Sequence, residues 1–503
     1  MAGPPDTPDA PAPAASEDGP PQAPKAASAA SNATLLGIAT IVARLATFAL
    51  AVVLARKLGV EDYGRYGLAV ALALVVLPLA DLGLTPYLLR EVARDRRRAE
   101  AGLRTILQAK LGLSLAVFVL TAAIAAVVVK EGALVAVIVV MLISTLSDGV
   151  TGLVFGYFQG RERMGIEAAL TSTTSIVRSL GGIVLALVFA ELMPVLAWLL
   201  AVGILQVTWA GLRLRGAVRE PGAAKVASER APISWHTVIA MGLITIFVMV
   251  YLRADTVLVG ALQSERAVGF YTAAYTLMLG LQIVPWVVST ALTPVFARTW
   301  AAGATEEFAE AWHGGIRAVL VVSLPLSMVA CLLAYPIIGR MFGDDYDPAG
   351  EALVILVWTS PLAALNVMLT GALRGLGRER WITAVSGVGA VLNVGLNLWA
   401  IPTFGIDGAA AVTVGTEVIV IGLFAVLARS RHTLPFPRLP YLRLALALGA
   451  LAAIAVVARP LPVEVAVVLA LLGFVAVAVI TRVVGASDAA ALREVVGTRL
   501  GRR

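Results

Sequence analysis

Arg44 stands near the middle of an apolar run, with Thr40 and Thr47 at spacings that put all three on one helical face. Arg178 sits similarly in a later run, with Thr171, Thr174 and Ser175 on or beside its face. A charge at mid-bilayer costs about 2.5–3.5 kcal/mol on insertion scales, so each needs a counter-charge, a wet cavity or a route to the interface. Guanidinium groups grip phosphate oxygens through two parallel bonds, so arginines around a wet cavity would suit a phosphate ester. Arg253 and Asp255 lie two residues apart, which points them to nearly opposite sides of a helix and leaves each needing a partner elsewhere. Asp81 and Asp148 are further deep acids, each a candidate mate for an arginine. Lys110, about two turns inside its run, is expected to snorkel to the interface.

Tyr271, Tyr275, Met278 and Gln282 form a stripe at helical spacing that suits either a sugar-binding face or packing. Asn393 and Asn397, one turn apart, and Thr413, Thr416 and Glu417 in the next run place oxygen atoms inside apolar segments. The set Asp255, Asn393, Asn397 and Thr413 offers ligands for a cation such as sodium; hydrogen bonding between helices is the other use of such groups. His236, His313, His432 and the single Cys331 show no metal-ligand spacing, so no metal site is expected. No phosphate-binding loop, metalloprotease, nucleophile-elbow or dinucleotide motif is present, so neither an enzyme nor a cofactor is expected. If transport is ion-driven, Na+ or H+ is the expected coupling ion.

The elements that must position these side chains are those of an all-α polytopic membrane protein. Of the 503 residues, 59% are hydrophobic and 14% charged, against about 25% charged in soluble domains. About fourteen apolar segments reach spanning length. The net charge of +7 lies between these segments, which argues for a membrane protein and against a nucleic-acid partner. Placing the amino terminus inside puts most lysine and arginine on the cytoplasmic side, so both termini are expected there.

The chain also repeats itself. Gly64-x-Tyr66-x-x-Ala69 recurs as Gly269-x-Tyr271-x-x-Ala274, and Gly160-Arg161-Glu162-Arg163 as Gly377-Arg378-Glu379-Arg380, each about 200 residues later. Both recurrences join a segment to the sixth one after it. Six is even, so the expected plan is two parallel six-helix repeats plus two C-terminal helices. The expected divisions are a disordered tail at 1–33, a first lobe at 34–215 and a cytoplasmic linker at 216–232. A second lobe at 233–430, helices 13 and 14 at 441–484 and a basic cytoplasmic tail at 485–503 follow. Transporters of this plan bind at the repeat interface, which predicts Arg44 and Arg253 on one cavity, with Arg178 as a third cation.

Family features are Leu58-Gly59, Glu61-Asp62-Tyr63-Gly64, Leu79-Ala80-Asp81-Leu82-Gly83-Leu84 and Arg90-Glu91-Val92-Ala93-Arg94. Others are Arg253-Ala254-Asp255, Gly269-Phe270-Tyr271 and Gly405-Ile406-Asp407-Gly408. In these the chain resembles the polysaccharide transporter, or oligosaccharide flippase, family of the multidrug/oligosaccharidyl-lipid/polysaccharide (MOP) exporter superfamily. The resemblance implies an alternating-access flippase of the inner (plasma) membrane, serving polysaccharide biosynthesis and export. It would carry an undecaprenyl-diphosphate-linked oligosaccharide from the inner to the outer leaflet, with helices 13 and 14 bordering a groove for the lipid tail. The expected substrate-binding set is Arg44, Arg178, Arg253, Asp255, Tyr271, Tyr275 and Gln282. Expected partners are that substrate, membrane lipids, and glycosyltransferases or a polymerase of the same pathway. Two other readings stand beside it. A cation-coupled multidrug antiporter would want acids in the cavity, and a membrane glycan polymerase or ligase would usually carry a large external loop.

Overall fold

The computed structural model describes residues 26–161, 164–218, 233–430 and 439–483, and they are helical almost throughout, with no strand among them. Lipid offers backbone groups no hydrogen bonds, so apolar runs of this length must satisfy their own as helices. The first helix, α1 (Ala26–Asp81), carries two spans folded over at Gly59, whose φ of 81° is open to glycine at little cost. α2 (Leu84–Arg94) continues the second span after a 45° bend at Leu82 and Gly83. α3 (Arg96–Val128), α4 (Gly132–Gly160), α5 (Met164–Phe189) and α6 (Leu192–Val218) complete the first lobe.

The second lobe begins with α7 (Trp235–Leu262), α8 (Glu265–Ala301), α9 (Thr305–Leu332) and α10 (Ala334–Phe342). It continues through α11 (Ala349–Leu356) and α12 (Thr359–Gly375) to α13 (Glu379–Ser430), which folds over at Gly405 as α1 does at Gly59. α14 (Tyr441–Val457) and α15 (Val463–Ile480) end the described chain. Among the described residues nine stretches are long and apolar enough to cross a membrane, eight of them single helices and the ninth α11 joined to α12, and the bent α1–α2 pair makes a tenth. With α1 and α13 divided at their glycines and α11 joined to α12, each apolar segment of the sequence falls on a helix. α1 starts at Ala26, inside the stretch read from composition as a tail. The rest of that tail, the linker beyond Val218 and the basic tail lie outside the described residues.

The lobes meet at both ends of the molecule. At the end that carries the Gly59 turn, a Cβ on Gly64 would overlap the Glu265 carbonyl oxygen, and one on Gly269 would overlap that of Val60. Tyr63 and Thr276 share a hydrogen bond there (3.0 Å), and Tyr346 donates to the Ala55 carbonyl (3.0 Å). At the opposite end Gly83, with φ 94°, packs directly on the backbone of Val238 and Gly242 in α7. α14 and α15 pack on each other through Ala447, Leu451, Ala470 and Phe474, and on α9 at Val329 and Leu333.

Candidate functional site

Between the lobes lies a cavity of about 720 Å³, lined by α1, α4, α5, α7 and α8. Arg44 and Arg253 both line it, and no aspartate or glutamate does among the described residues. The Arg44 guanidinium sits 4.3 Å from the Trp286 ring centroid, so α1 and α8 are joined by a cation–π contact. Arg253 sits 4.9 Å from the Tyr275 ring, and Tyr275 is fixed by donating to the Leu252 carbonyl at 2.8 Å. Hydroxyls of Thr40, Thr47, Thr171, Ser172, Ser175, Thr256, Thr272 and Thr276 surround the two cations, with the rings of Tyr66 and Phe48. Such a cavity offers two forked cations to an anion, and hydroxyls and ring faces to a polyol.

Arg178 is not among the lining residues, although Thr171, Ser172 and Ser175 of its own helix are. Its guanidinium makes two parallel bonds to Asp148 of α4, at 2.6 and 2.7 Å, so the expected third cation is already neutralised. Lys110 departs from its expected route as well. Instead of snorkelling it is fully buried and pairs with Asp81 at 2.7 Å, while Thr85 donates to the same carboxylate at 2.6 Å. In each case a carboxylate on a neighbouring helix lies within bonding reach, and a charge drawn largely out of water takes such a partner.

The stripe Tyr271, Tyr275, Met278 and Gln282 divides. Tyr275 lines the cavity, but Tyr271 and Met278 are buried away from it and Gln282 does not line it; its amide nitrogen lies 2.8 Å from the Met278 sulfur. The face of α8 that reaches the cavity also carries Thr272, Thr276, Leu279 and Ile283, one residue further round the helix. Asp255 is likewise off the cavity. It is 1% exposed and accepts from Tyr271 (2.7 Å), Thr413 (3.0 Å) and the Thr256 amide (2.6 Å). Arg253 and Asp255 therefore diverge, as their spacing requires.

Asn393 and Asn397 are fully buried and bonded to each other, Asn397 donating to the Asn393 side chain at 3.1 Å. Asn393 Nδ2 and Asn397 Oδ1 find no partner among the described residues. One turn earlier, a Cβ on Gly389 would touch the Tyr251 ring at 3.4 Å, and Tyr251 lies one turn before Asp255. That register sets Asn393 at about the level of Asp255, which Thr413 reaches from the second half of α13. Three further features escaped sequence reasoning: Trp286 as the partner of Arg44, the hydroxyl lining of α8, and the contact of buried Glu417 with Asn366 (2.9 Å). The α8 face meets α1 where Gly67 approaches Thr272 and Gly280 approaches Phe48, contacts that no sequence spacing announces. No residue of α14 or α15 lines the cavity.

The family model described as polysaccharide biosynthesis protein matches residues 29–300, and that described as MatE matches residues 240–399. The chain is 22% identical to the probable low-salt glycan biosynthesis flippase Agl15 of Haloferax volcanii, over 71% of this chain and 75% of that protein. Its fold is similar to that of the lipid II flippase MurJ in an inward closed conformation, with a TM-score of 0.72 at 12% identity over 89% of this chain and 99% of that one. It is also similar to an inward-facing multidrug resistance MATE family transporter of the MOP superfamily, with a TM-score of 0.58 at 16% identity over 77% and 94% of the two chains.

Proposed function

Because the chain belongs to the polysaccharide biosynthesis protein family, and so to the MOP superfamily of membrane transporters, we propose that it flips an undecaprenyl-diphosphate-linked oligosaccharide between leaflets. The observation that carries this reading is the charge of the cavity: Arg44 and Arg253 line it from the opening helices of the two repeats, and no described carboxylate does. The diphosphate would sit between the two arginines, held by bidentate bonds, while the surrounding hydroxyls and rings take the first sugars. The lipid tail would stay in the bilayer. A flippase reading is in keeping with the probable flippase Agl15 and with the lipid II flippase and MATE transporter folds, none of them an enzyme. The antiporter reading is the weaker one, because a cationic drug would meet two arginines and no acid.

In this reading both termini are cytoplasmic and the membrane is the plasma membrane. The arginine-rich end with Arg90 and Arg94 would then face inward, and the Gly59 end outward. Asp255, Thr413, Asn393 and Asn397 would form a coupling-cation site in the second lobe, supported by the Asp255–Thr413 bond and the unpaired Asn397 oxygen. Glycan export in cells that carry only Arg44→Ala or Arg253→Ala protein, at normal abundance, tests the function. Full export by either variant would sink it.

A further inference from the structure

At the Gly59 end, elements from both lobes converge on one side chain. Arg65 donates Nε to Glu265 at the start of α8 (2.5 Å) and Nη2 to Glu131 in the α3–α4 loop (2.5 Å). The same guanidinium reaches Asp62 at 2.8 Å and Glu61 at 3.2 Å. One cation thus faces a surplus of carboxylates across the seam between the lobes. Nε and Nη2 are neighbouring nitrogens of one guanidinium, so the carboxylates of Glu265 and Glu131 are held side by side on it. Ionised carboxylates only accept, so a bond between two of them needs a proton on one. Glu131 belongs to the first lobe and Glu265 to the second, so the two carboxylates stand side by side only while the lobes are closed here.

We propose that closing the Gly59 end takes up one proton, shared between Glu131 and Glu265 on Arg65, and that opening it returns the proton to the medium. The proposal rests on the functional reading only for the side from which the proton comes. The site is separate from the arginine cavity and from Asp255. It makes pH a control on the balance between closed and open forms, with or without a cation bound in the second lobe.

The charges that face the pair are Arg65, Glu61 and Asp62 on α1. Lys130 adjoins Glu131 in its loop, and Arg266 adjoins Glu265 but lies over the Phe270 ring at 5.6 Å. Burial pushes the Glu265 carboxyl above its ordinary value, and sharing a proton with Glu131 adds to that. The same sharing, followed by Arg65, holds Glu131 below its ordinary value. The signs then follow. Glu265, raised on closing, stabilises the closed form fully below the free glutamate value of about 4.3, and that stabilisation is lost as pH rises through its raised value. Glu131, lowered on closing, weakens the closed form only in stronger acid. Between the free value and the raised Glu265 value, closure is therefore favoured by falling pH.

The test uses the full-length protein in nanodiscs, which expose both ends to one pH and require no substrate. Spin labels at Lys57→Cys and Ala261→Cys, in a Cys331→Ser background, report the distance across this end between about pH 4.5 and pH 8. The closed-to-open ratio should rise as pH falls, approaching about tenfold per pH unit at most, the limit for one linked proton. Glu131→Gln and Glu265→Gln should each flatten that slope, because an amide can make the bond with no added proton. A flat response in the unsubstituted pair, or an unchanged slope in both glutamine variants, overturns the proposal. Neither result bears on whether the arginine cavity carries a glycan.

Discussion

Gly64 and Gly269 close on each other's helix reciprocally: each would drive an added Cβ into the carbonyl oxygen four residues before the other. Each contact is the image of the other under the internal repeat, so the pseudo-twofold axis passes between them. The recurrence of Gly-x-Tyr-x-x-Ala thus has a physical cause. Two helix starts can meet backbone to backbone only where neither carries a side chain.

Either Gly64→Ala or Gly269→Ala should push the lobes apart at this end. Overpacking of a close contact costs about 1–3 kcal/mol, which corresponds to a shift of roughly 5- to 150-fold toward the open form. The distance across the seam, read by the spin labels described above, should lengthen in both variants. An unchanged distribution would show that the contact does not limit opening.

Arg44→Ala and Arg253→Ala should each lower glycan export by roughly 10- to 100-fold, because each removes about 1.5–3 kcal/mol of charge-assisted bonding to the headgroup. Arg44→Lys and Arg253→Lys should fall between alanine and the native residue, since lysine keeps the charge but not the fork. Export is measured against surface abundance, which none of these variants should reduce greatly.

The Arg178–Asp148 pair should behave as a structural unit. Arg178→Met or Asp148→Leu alone leaves one charge unpaired and should lower thermal stability, by about 1–3 kcal/mol given the partial exposure of both side chains. The double variant Arg178→Met/Asp148→Leu should recover most of that loss and also transport. If the double variant folds well and still fails to transport, Arg178 has a role with substrate after all.

Asp255→Ala or Thr413→Val should abolish any rise in melting temperature that sodium chloride produces over potassium chloride in the purified protein. A sodium-specific rise that persists in both variants would place the coupling ion elsewhere.

Much of this architecture was legible in the sequence because lipid leaves so few choices. Apolar runs of spanning length become helices, and the glycines at 59 and 405 mark where two of the long helices fold over. The divergence of Arg253 from Asp255 followed from spacing alone, and the presence of both opening-helix arginines on one cavity followed from the repeat. Partner choice was harder to read. Whether Arg178 faces a cavity or Asp148, and whether Lys110 reaches water or Asp81, depends on helix rotation and on side chains far away in the chain. The α8 stripe failed by a single residue of rotation, about 100° on a helix of 3.6 residues per turn.

The contact of Gly83 with Val238 and Gly242 acquires a mechanical meaning from its distance to Gly64. Those two points on the bent second span lie about 19 residues apart, or about 28 Å along a straight helix. If the reciprocal glycines serve as a fulcrum, the span is a lever with its load at Gly83. A rocking of about 10° then carries the far end through about 5 Å, enough to part a backbone contact completely. Little need change at the fulcrum for that seam to open. Swinging the arm clear also parts Tyr87 from the Ser234 amide (3.4 Å) and Leu84 and Leu88 from Val238, so the far seam is held by one long hydrogen bond and an apolar contact.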